Sequence, residues 1–157
     1  MMSSAKYKIP ISVLVVIHTP DLQVLLLERA DWAGFWQSVT GSRAREDEPL
    51  ADTAVREVRE ETGIDAAKHR LEDWDMRNRF EIFHKRRSLF QPGTTHNIEH
   101  VFGLMVPRPA SVTLEPREHL RYLWLPWREA AAKTGSWSNR DAILLLPEKA
   151  PRAGLRS

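Results

Sequence analysis

The 157-residue chain contains no cysteine, which excludes a disulfide framework, a thiolate metal site and a cysteine nucleophile. A long hydrophobic run is also absent. The longest apolar stretch near the start, Ile11–Ile17, has seven residues, whereas a membrane-spanning helix needs about 20. The charge near the N-terminus is not followed by the hydrophobic region of a cleavable signal. We therefore expect a cytoplasmic protein without a membrane-embedded part.

An excess of one charge sign is missing as well. The 23 Lys+Arg and 21 Asp+Glu give a net charge of +2, so the overall charge does not predict binding to nucleic acid or to a membrane. Lysine is scarce, with 6 residues against 17 Arg, and arginine suits bidentate recognition of phosphate. The charges are segregated: residues 46–61 hold seven acids against two Arg, and residues 77–87 hold five bases against one acid. Such a distribution would suit a protein that holds a cation close to phosphate groups. We also expect a monomer.

The length is that of one domain, and no repeat or long linker divides it, so residues 1–157 are predicted to form a single domain. Apolar patterns predict strands over residues 11–17, 24–29, 35–39, 71–83, 100–106 and 121–125. Helices are predicted over residues 50–62, bounded by Pro49 and Gly63, and over 127–133 and 139–146, with a frayed tail over 147–157. This order of elements predicts an α+β fold with a mixed sheet flanked by helices.

The first predicted helix carries an unusual set of charges. Glu57, Glu60 and Glu61 fall within an arc of about 100° on one helical face, so they repel one another. They also stand toward the C-terminal end, where the helix dipole disfavours anions. A solvated face neutralised by the interspersed arginines is the simple interpretation. The alternative is a hard divalent cation, which binds carboxylate oxygens and would relieve the repulsion.

The spacing around this helix resembles the signature of the Nudix family, Gly-x5-Glu-x7-Arg-Glu-U-x-Glu-Glu-x-Gly-U, in which U is a bulky aliphatic residue. Its positions are filled here, in order, by Gly41, Glu48, Arg56, Glu57, Val58, Glu60, Glu61, Gly63 and Ile64. One departure is an extra residue in the loop, since six residues separate Gly41 from Glu48. Asp47 stands at the family's distance from Gly41, but only Glu48 keeps the distance to Arg56. Loops tolerate insertions, so the helix keeps its register.

The resemblance implies a Nudix-type α/β/α sandwich with the catalytic helix after the signature loop. It also implies a Mg²⁺-dependent hydrolase of nucleoside-diphosphate-linked compounds, in which Mn²⁺ substitutes. By this likeness the predicted metal ligands are Glu57 and Glu61, with Glu60 as a third and the Gly41 carbonyl as a further donor. Arg56 completes the predicted catalytic group, because it would orient the carboxylates through charge-assisted hydrogen bonds. The bound ion would bridge phosphate oxygens and lower the pKa of a bound water.

Outside the signature, three strings narrow the resemblance: Phe35–Ser42, Glu118–Leu120 and Ser136–Arg140. They are similar to the bacterial members of the family that act in folate biosynthesis, where dihydroneopterin triphosphate is cleaved to the monophosphate and pyrophosphate. That likeness implies four substrate-binding residues and one more metal ligand: Lys8, Arg29, Thr40 and Ser136 for the substrate, and Glu118 for the metal. Taken alone, the arginine and the glutamate of this set would be solvated surface charges.

Two further groups of residues have two interpretations each. The basic cluster of residues 77–87 either guides a triphosphate or forms a solvated hairpin edge, and the second is favoured for Arg86 and Arg87. Tryptophans are mostly core residues, but Trp36 or Trp137 would be suited to stack on a pterin ring. The sequence leaves these alternatives open.

Rival functions also stay open. Another Nudix activity, such as removal of damaged nucleoside triphosphates or pyrophosphohydrolysis at RNA 5′ ends, would use the same helix. A non-catalytic domain that senses a nucleotide would have little reason to keep three repelling carboxylates. A zinc site is excluded: His96–His100 matches an H-x-x-E-H string, but it leads into a strand pattern, where its histidines would stand about 13 Å apart.

Overall fold

The computed structural model describes residues 7–151. Its strands are β1 Ile11–His18, β2 Gln23–Arg29, β3 Trp36–Gln37, β4 Val39–Ser42, β5 Arg70–Glu81, β6 His96–Met105 and β7 His119–Pro126. Its helices are α1 Leu50–Thr62, α2 Trp127–Lys133, α3 Trp137–Leu144 and α4 Leu146–Lys149. Two 3₁₀ segments cover Ala66–Lys68 and His84–Leu89. None of the helices within these described residues has the length and apolar character needed to cross a membrane.

The strands form one mixed sheet with β1 at its centre. Its order is β3-β2-β1-β6-β5, and β4 and β7 pair in addition with β1 and β2, respectively. β1 and β6 run parallel through eight residue pairs, and the other pairs are antiparallel. β1 meets β2 at His18 and Val24, beside their hairpin, while β4 lies along Ser12–Val15. This arrangement brings the ends of β4 and β6 to the same part of the sheet.

Helices cover both faces of the sheet because successive residues of β1 point to opposite sides. Val13 and Val15 pack in one core with Val58 of α1. Leu14 packs on the other face, in a second core that includes Ile143 of α3. The predicted α/β/α sandwich with a mixed sheet is therefore confirmed.

Helix α1 has the predicted bounds, and its ends show why. Pro49 is its N-cap, where the missing N–H has no helical partner to lose. Gly63 adopts φ 78° at the C-terminal end and donates its N–H to the carbonyl of Arg59 at 2.9 Å. A left-handed residue at this place favours glycine, because a side chain would be strained there. Helix α2 likewise has its predicted bounds.

Other boundaries differ from the prediction. The predicted strand over residues 35–39 is divided into β3 and β4, the latter reaching Ser42. Strand β5 ends at Glu81, before the predicted limit at residue 83, and the 3₁₀ segment His84–Leu89 lies between it and β6. The frayed tail predicted from Pro147 is wrong for the first residues, because α4 includes Pro147 in its first turn and buries Leu146. The rest of that tail, from residue 152, lies outside the described residues, and so does part of the predicted domain 1–157.

Candidate active site

A cavity of about 800 Å³ opens between β4, the acidic face of α1 and the loops around β6. Its lining brings together all nine residues that the sequence predicted to contact metal or substrate, namely Lys8, Arg29, Thr40, Gly41, Glu57, Glu60, Glu61, Glu118 and Ser136. They come from six separate parts of the chain. Arg56 is not among the lining residues and lies behind the carboxylates. The structure thus brings the predicted metal and substrate positions together in one cavity.

Gly41 brings β4 close to α1. A Cβ atom built on this residue would overlap the carboxylate of Glu57, so a side chain at this position would displace that group. The neighbouring Thr40 donates its backbone N–H to Glu61. The strand therefore presents backbone polar groups to the two most buried acids of the helix.

Glu57 and Glu61 form a close pair of carboxyl groups in hydrogen-bonding contact. Burial raises the pKa of Glu57, and burial together with repulsion from Glu57 raises the pKa of Glu61 well above its ordinary value. The Oε1 atom of Glu61 is buried and has no hydrogen-bond partner in the described part of the chain. A like-charged pair with an unpaired buried oxygen has a high affinity for a cation, because a cation removes both penalties.

The carboxylates of Glu57, Glu60 and Glu61 form the acidic wall of the cavity. Arg56 binds next to this wall and connects it to the loop before α1. Its guanidinium donates to both carboxylate oxygens of Glu48 at 3.0 and 3.1 Å, to Glu57 at 3.0 Å and to the Ser42 carbonyl at 2.9 Å. Glu48 is buried and also accepts hydrogen bonds from the Ala44 N–H and the Thr53 hydroxyl, both at 2.8 Å. The hydrogen bonds from Arg56 are the main reason that the pKa of Glu48 falls to about 2.

These contacts settle which acid fills the signature position before the helix. Asp47 is 85% exposed, and Arg45 is its only ion-pair partner among residues 7–151. Glu48, one residue later, is the acid that anchors Arg56. The extra residue therefore lies in the loop, as the sequence predicted, and the helix register is preserved.

The cavity also has a basic wall, which includes Arg29 and Arg86. Arg29 donates two hydrogen bonds to Asp31, at 2.7 and 2.8 Å, and Arg86 donates to the same carboxylate at 2.7 Å. Arg86 is half-buried, belongs to the 3₁₀ segment and lines the cavity, so its interpretation as a solvated hairpin edge is wrong. Arg87 instead pairs with Glu81 at 2.8 Å and does not line the cavity. One carboxylate thus holds two guanidinium groups at the cavity wall.

Two hydroxyl groups predicted to contact substrate are already oriented. Thr40 donates to the Val13 carbonyl at 3.0 Å, which leaves its oxygen able to accept. Ser136 caps α3 and lies 3.1 Å from the hydroxyl of Ser138. Among the tryptophans, Trp137 is 49% exposed and lines the cavity, whereas Trp36 is buried and is not a lining residue. Of the two candidates for stacking, only Trp137 is therefore in place.

Sequence reasoning missed several polar residues of the cavity. His119 is buried with its Nε2 atom 3.9 Å from Oε1 of Glu61, and burial lowers its pKa to about 4, so the ring is neutral at pH 7. Asn97 and Glu99 are also buried lining residues. Their strand was predicted to begin only at residue 100. The alternation of side chains in a strand, extended back from the inward-facing Val101, would have placed both Asn97 and Glu99 on the inward face.

The two histidines of the H-x-x-E-H string lie in β6, as expected, so they do not share a helical face. Within residues 7–151 no three acidic or histidine side chains are already arranged to hold a metal ion. The case for a metal on the acidic wall therefore rests on its donor chemistry. Hard oxygen donors are present, Oε1 of Glu61 is unpaired, and the missing side chain of Gly41 leaves room for the Glu57 carboxylate.

Comparison with known proteins points to one family. The NUDIX domain family matches residues 8–146. Dihydroneopterin triphosphate diphosphatase of Escherichia coli is 45% identical over 145 residues, covering 90% of this chain and 95% of that protein. The enzyme of the same name from Haemophilus influenzae is 39% identical over 141 residues, covering 88% of this chain and 87% of the relative.

A solved structure of the E. coli dihydroneopterin triphosphate pyrophosphohydrolase superimposes with a TM-score of 0.81 and 46% sequence identity, covering 87% of this chain and 94% of that one. The sandwich fold, the signature helix and the match over nearly the whole described chain all agree. The chain therefore belongs to the Nudix family.

Proposed function

We propose that this protein hydrolyses dihydroneopterin triphosphate to dihydroneopterin monophosphate and pyrophosphate, in a reaction that needs Mg²⁺. The observation that carries the proposal is the single cavity in which an acidic wall from the Nudix helix faces two arginines, Arg29 and Arg86. Such a cavity suits a polyphosphate bound with a cation. Relatives 45% and 39% identical are named for this substrate, which supports it over other triphosphates.

The metal is assigned to the acidic wall. Glu57 and Glu61 are the proposed ligands, together with Glu118, Glu60 and the Gly41 carbonyl, and Mn²⁺ is expected to replace Mg²⁺. The charge of Glu118 contributes to the raised pKa of Glu61, which supports including Glu118 among the ligands. When bound, the ion neutralises phosphate charge and lowers the pKa of a coordinated water. Arg56 fixes the carboxylates from behind, which keeps the donor atoms in place.

The substrate-binding roles follow from the lining of the cavity. Lys8 and Arg29 are proposed to bind phosphate oxygens, with Arg29 already oriented by Asp31. Thr40 and Ser136 offer hydroxyl oxygens to the hydroxylated side chain or the ring of the pterin. The triphosphate would then lie between the basic wall and the acidic helix.

The proposed reaction is a substitution at phosphorus. The oxygen of a water molecule forms a bond to a phosphorus of the triphosphate chain, and the bond from that phosphorus to the bridging oxygen of the leaving pyrophosphate breaks. The water proton passes to a base or to solvent, and pyrophosphate leaves with its bond electrons. The chain's own groups hold the phosphates in line for this attack, and positioning of this kind is the main protein contribution to phosphoryl transfer.

The test is a comparison of turnover on pterin, nucleoside and RNA triphosphates, measured as pyrophosphate or phosphate release with Mg²⁺. We expect the highest kcat/KM for dihydroneopterin triphosphate. Slower turnover of this substrate than of every nucleotide would contradict the proposal and favour another Nudix activity.

Two variants test the acidic wall. Glu57→Gln and Glu61→Gln should each lower Mg²⁺-dependent turnover by at least about 100-fold while the protein stays folded. Near-normal turnover would refute the metal assignment. A cytoplasmic location, a monomeric state and the absence of a nucleic-acid partner remain predictions from the sequence, which sedimentation and binding measurements can check.

A further inference from the structure

The cavity has a second polar region, on strand β6, which the proposed hydrolysis does not use. Asn97 and Glu99 stand two residues apart, so they point to the same face of the strand, and Ser12 of β1 lies opposite Glu99 in the sheet register. All three are buried, with 5–6% exposed, and all three line the cavity. Polar side chains at such positions are unusual for a strand at the centre of a sheet.

Glu99 has neutral partners. Ser138 donates to its Oε1 atom at 2.8 Å, and the Asn78 amide on β5 donates as well. Within residues 7–151, no lysine, arginine or histidine forms an ion pair with it. Burial therefore raises the pKa of Glu99 against the opposing effect of these hydrogen bonds. A buried carboxylate without a cation retains unused acceptor capacity.

The surrounding hydroxyl groups fix this carboxylate in place. The one hydrogen of the Ser138 hydroxyl goes to Glu99, so the Ser136 hydroxyl must donate in the bond of 3.1 Å between the two serines. Asn97 contributes a second acceptor: its Nδ2 atom donates to Ser12 at 2.8 Å, while its Oδ1 atom is buried without a partner among the described residues. The region thus presents two fixed acceptors and few donors.

The two oxygens of one carboxylate match a ligand edge that carries adjacent donors, and Glu99 keeps acceptor capacity beyond the bonds from Ser138 and Asn78. The amide edge of a pterin has this form, because a ring N–H stands next to an exocyclic amino group. Guanine has the same edge. Adenine does not, since its ring nitrogen beside the amino group carries a lone pair that a carboxylate would repel.

We propose that Glu99 determines the ring specificity of this enzyme, by accepting hydrogen bonds from the ring N–H and the exocyclic amino group of the pterin. This inference rests on the proposed function. Ser136 and Ser138 position the carboxylate, and the Asn97 carbonyl accepts from a further N–H of the ring. A ring held here lies two strands away from β4, about 10 Å at the usual strand spacing, and in the same cavity as the carboxylates of α1.

The experiment compares kcat/KM for dihydroneopterin triphosphate, GTP and ATP in the wild type and in Glu99→Gln. The variant keeps the shape of the side chain but turns one acceptor into a donor, which faces the amino group of the ring. We expect kcat/KM to fall about 10- to 100-fold for the pterin substrate and for GTP, mainly through KM, and to stay within about threefold for ATP. An equal loss on all three substrates would show a general structural role and overturn the proposal, and so would unchanged kcat/KM for the pterin substrate.

Glu81→Gln is the matched control, because Glu81 also lines the cavity but is exposed and pairs with Arg87. It should leave the ratio of pterin to ATP turnover unchanged. A second measurement does not depend on catalysis: the affinity for unphosphorylated neopterin, determined from the fluorescence of the pterin in the absence of metal. Glu99→Gln should weaken this binding by about 10-fold or more, and equal affinity in both proteins would refute the proposal.

The outcomes separate the two proposals. A wild type that hydrolyses GTP faster than the pterin substrate, with a preference over ATP that Glu99→Gln removes, would refute the proposed substrate but support the role of Glu99. A wild type that prefers the pterin substrate, with a preference that survives Glu99→Gln, would support the substrate and refute the role of Glu99.

Discussion

Single residues in this cavity are placed by close approach as much as by charge. Gly41 is the clearest case, since the carboxylate of Glu57 occupies the space that a side chain at Gly41 would need. The atoms in the way are the end of a flexible side chain, so a larger residue would move the carboxylate and spare the fold. The structure therefore gives this glycine a function in positioning the Glu57 carboxylate, in addition to the metal-binding role proposed for its carbonyl.

Gly41→Ala should lower kcat with Mg²⁺ by about 100-fold, because Glu57 would no longer reach the metal, while the melting temperature should fall by only a few degrees. The measurement is steady-state turnover together with thermal unfolding in EDTA. If alanine acts by displacing Glu57, then adding Gly41→Ala to Glu57→Gln should reduce kcat little further, as expected for coupled sites. Additive losses in the double variant would contradict this explanation.

Much of the site was predictable at this scale, and the reason is physical. Carboxylates on one helical face and a glycine at a fixed distance produce a pattern that survives in the sequence, so Glu57, Glu61 and Gly41 were found. Glu99 and His119 were not, because each lies at the polar beginning of a strand, before its apolar residues. Their proximity to the cavity depends on strand register, which local sequence does not reveal.

Among the elements, the loop before α1 is joined to the helix by a buried ion pair. Glu48 receives hydrogen bonds from Arg56, Ala44 and Thr53, so it links the loop, the first turn and the catalytic half of the helix. The bounds of α1 were predictable from its terminal residues. The ion pair that joins the loop to the helix was not predictable, since it depends on an arginine eight residues further along the chain.

Glu48→Gln should reduce the free energy of unfolding by about 2 kcal/mol at pH 7, because the partly buried guanidinium of Arg56 would lose the buried one of its charged partners. The pKa of Glu48 is about 2 in the folded protein, against an ordinary value of 4.5 in the unfolded chain. The stabilising effect of Glu48 is therefore present above about pH 4.5 and is lost as the pH falls toward 2. Urea unfolding at a series of pH values measures this. The difference between the wild type and Glu48→Gln should shrink below pH 4.5.

Asp47→Asn is the control for this prediction, since the neighbouring Asp47 is 85% exposed. Its effect should be below about 0.5 kcal/mol at every pH, as for other surface ion pairs. A larger loss from Asp47→Asn than from Glu48→Gln would mean that the acid at the family's loop spacing, and not the one at the helix spacing, anchors Arg56.

For the whole molecule, the near-zero net charge conceals two walls of opposite sign. The acidic wall comes from Glu57, Glu60 and Glu61 within the acidic stretch 46–61, and the basic wall from the elements around Arg29 and Arg86. The fold brings both walls to one cavity. The sandwich architecture was predictable from the order of strands and helices. The meeting of the two walls was not, because Arg86 and its partner Asp31 are 55 residues apart in the chain.

This arrangement predicts that cation and polyphosphate bind cooperatively, because phosphate alone would meet unneutralised carboxylates. Pyrophosphate should raise the melting temperature little in EDTA, but by at least about 4 °C in Mn²⁺ beyond the effect of Mn²⁺ alone. Arg29→Ala should reduce this extra shift. Arg79→Ala should not, since Arg79 is exposed on β5 and does not line the cavity. An equal shift by pyrophosphate in EDTA and in Mn²⁺ would show that the acidic wall does not oppose phosphate, and the cooperative interpretation of the charge distribution would be wrong.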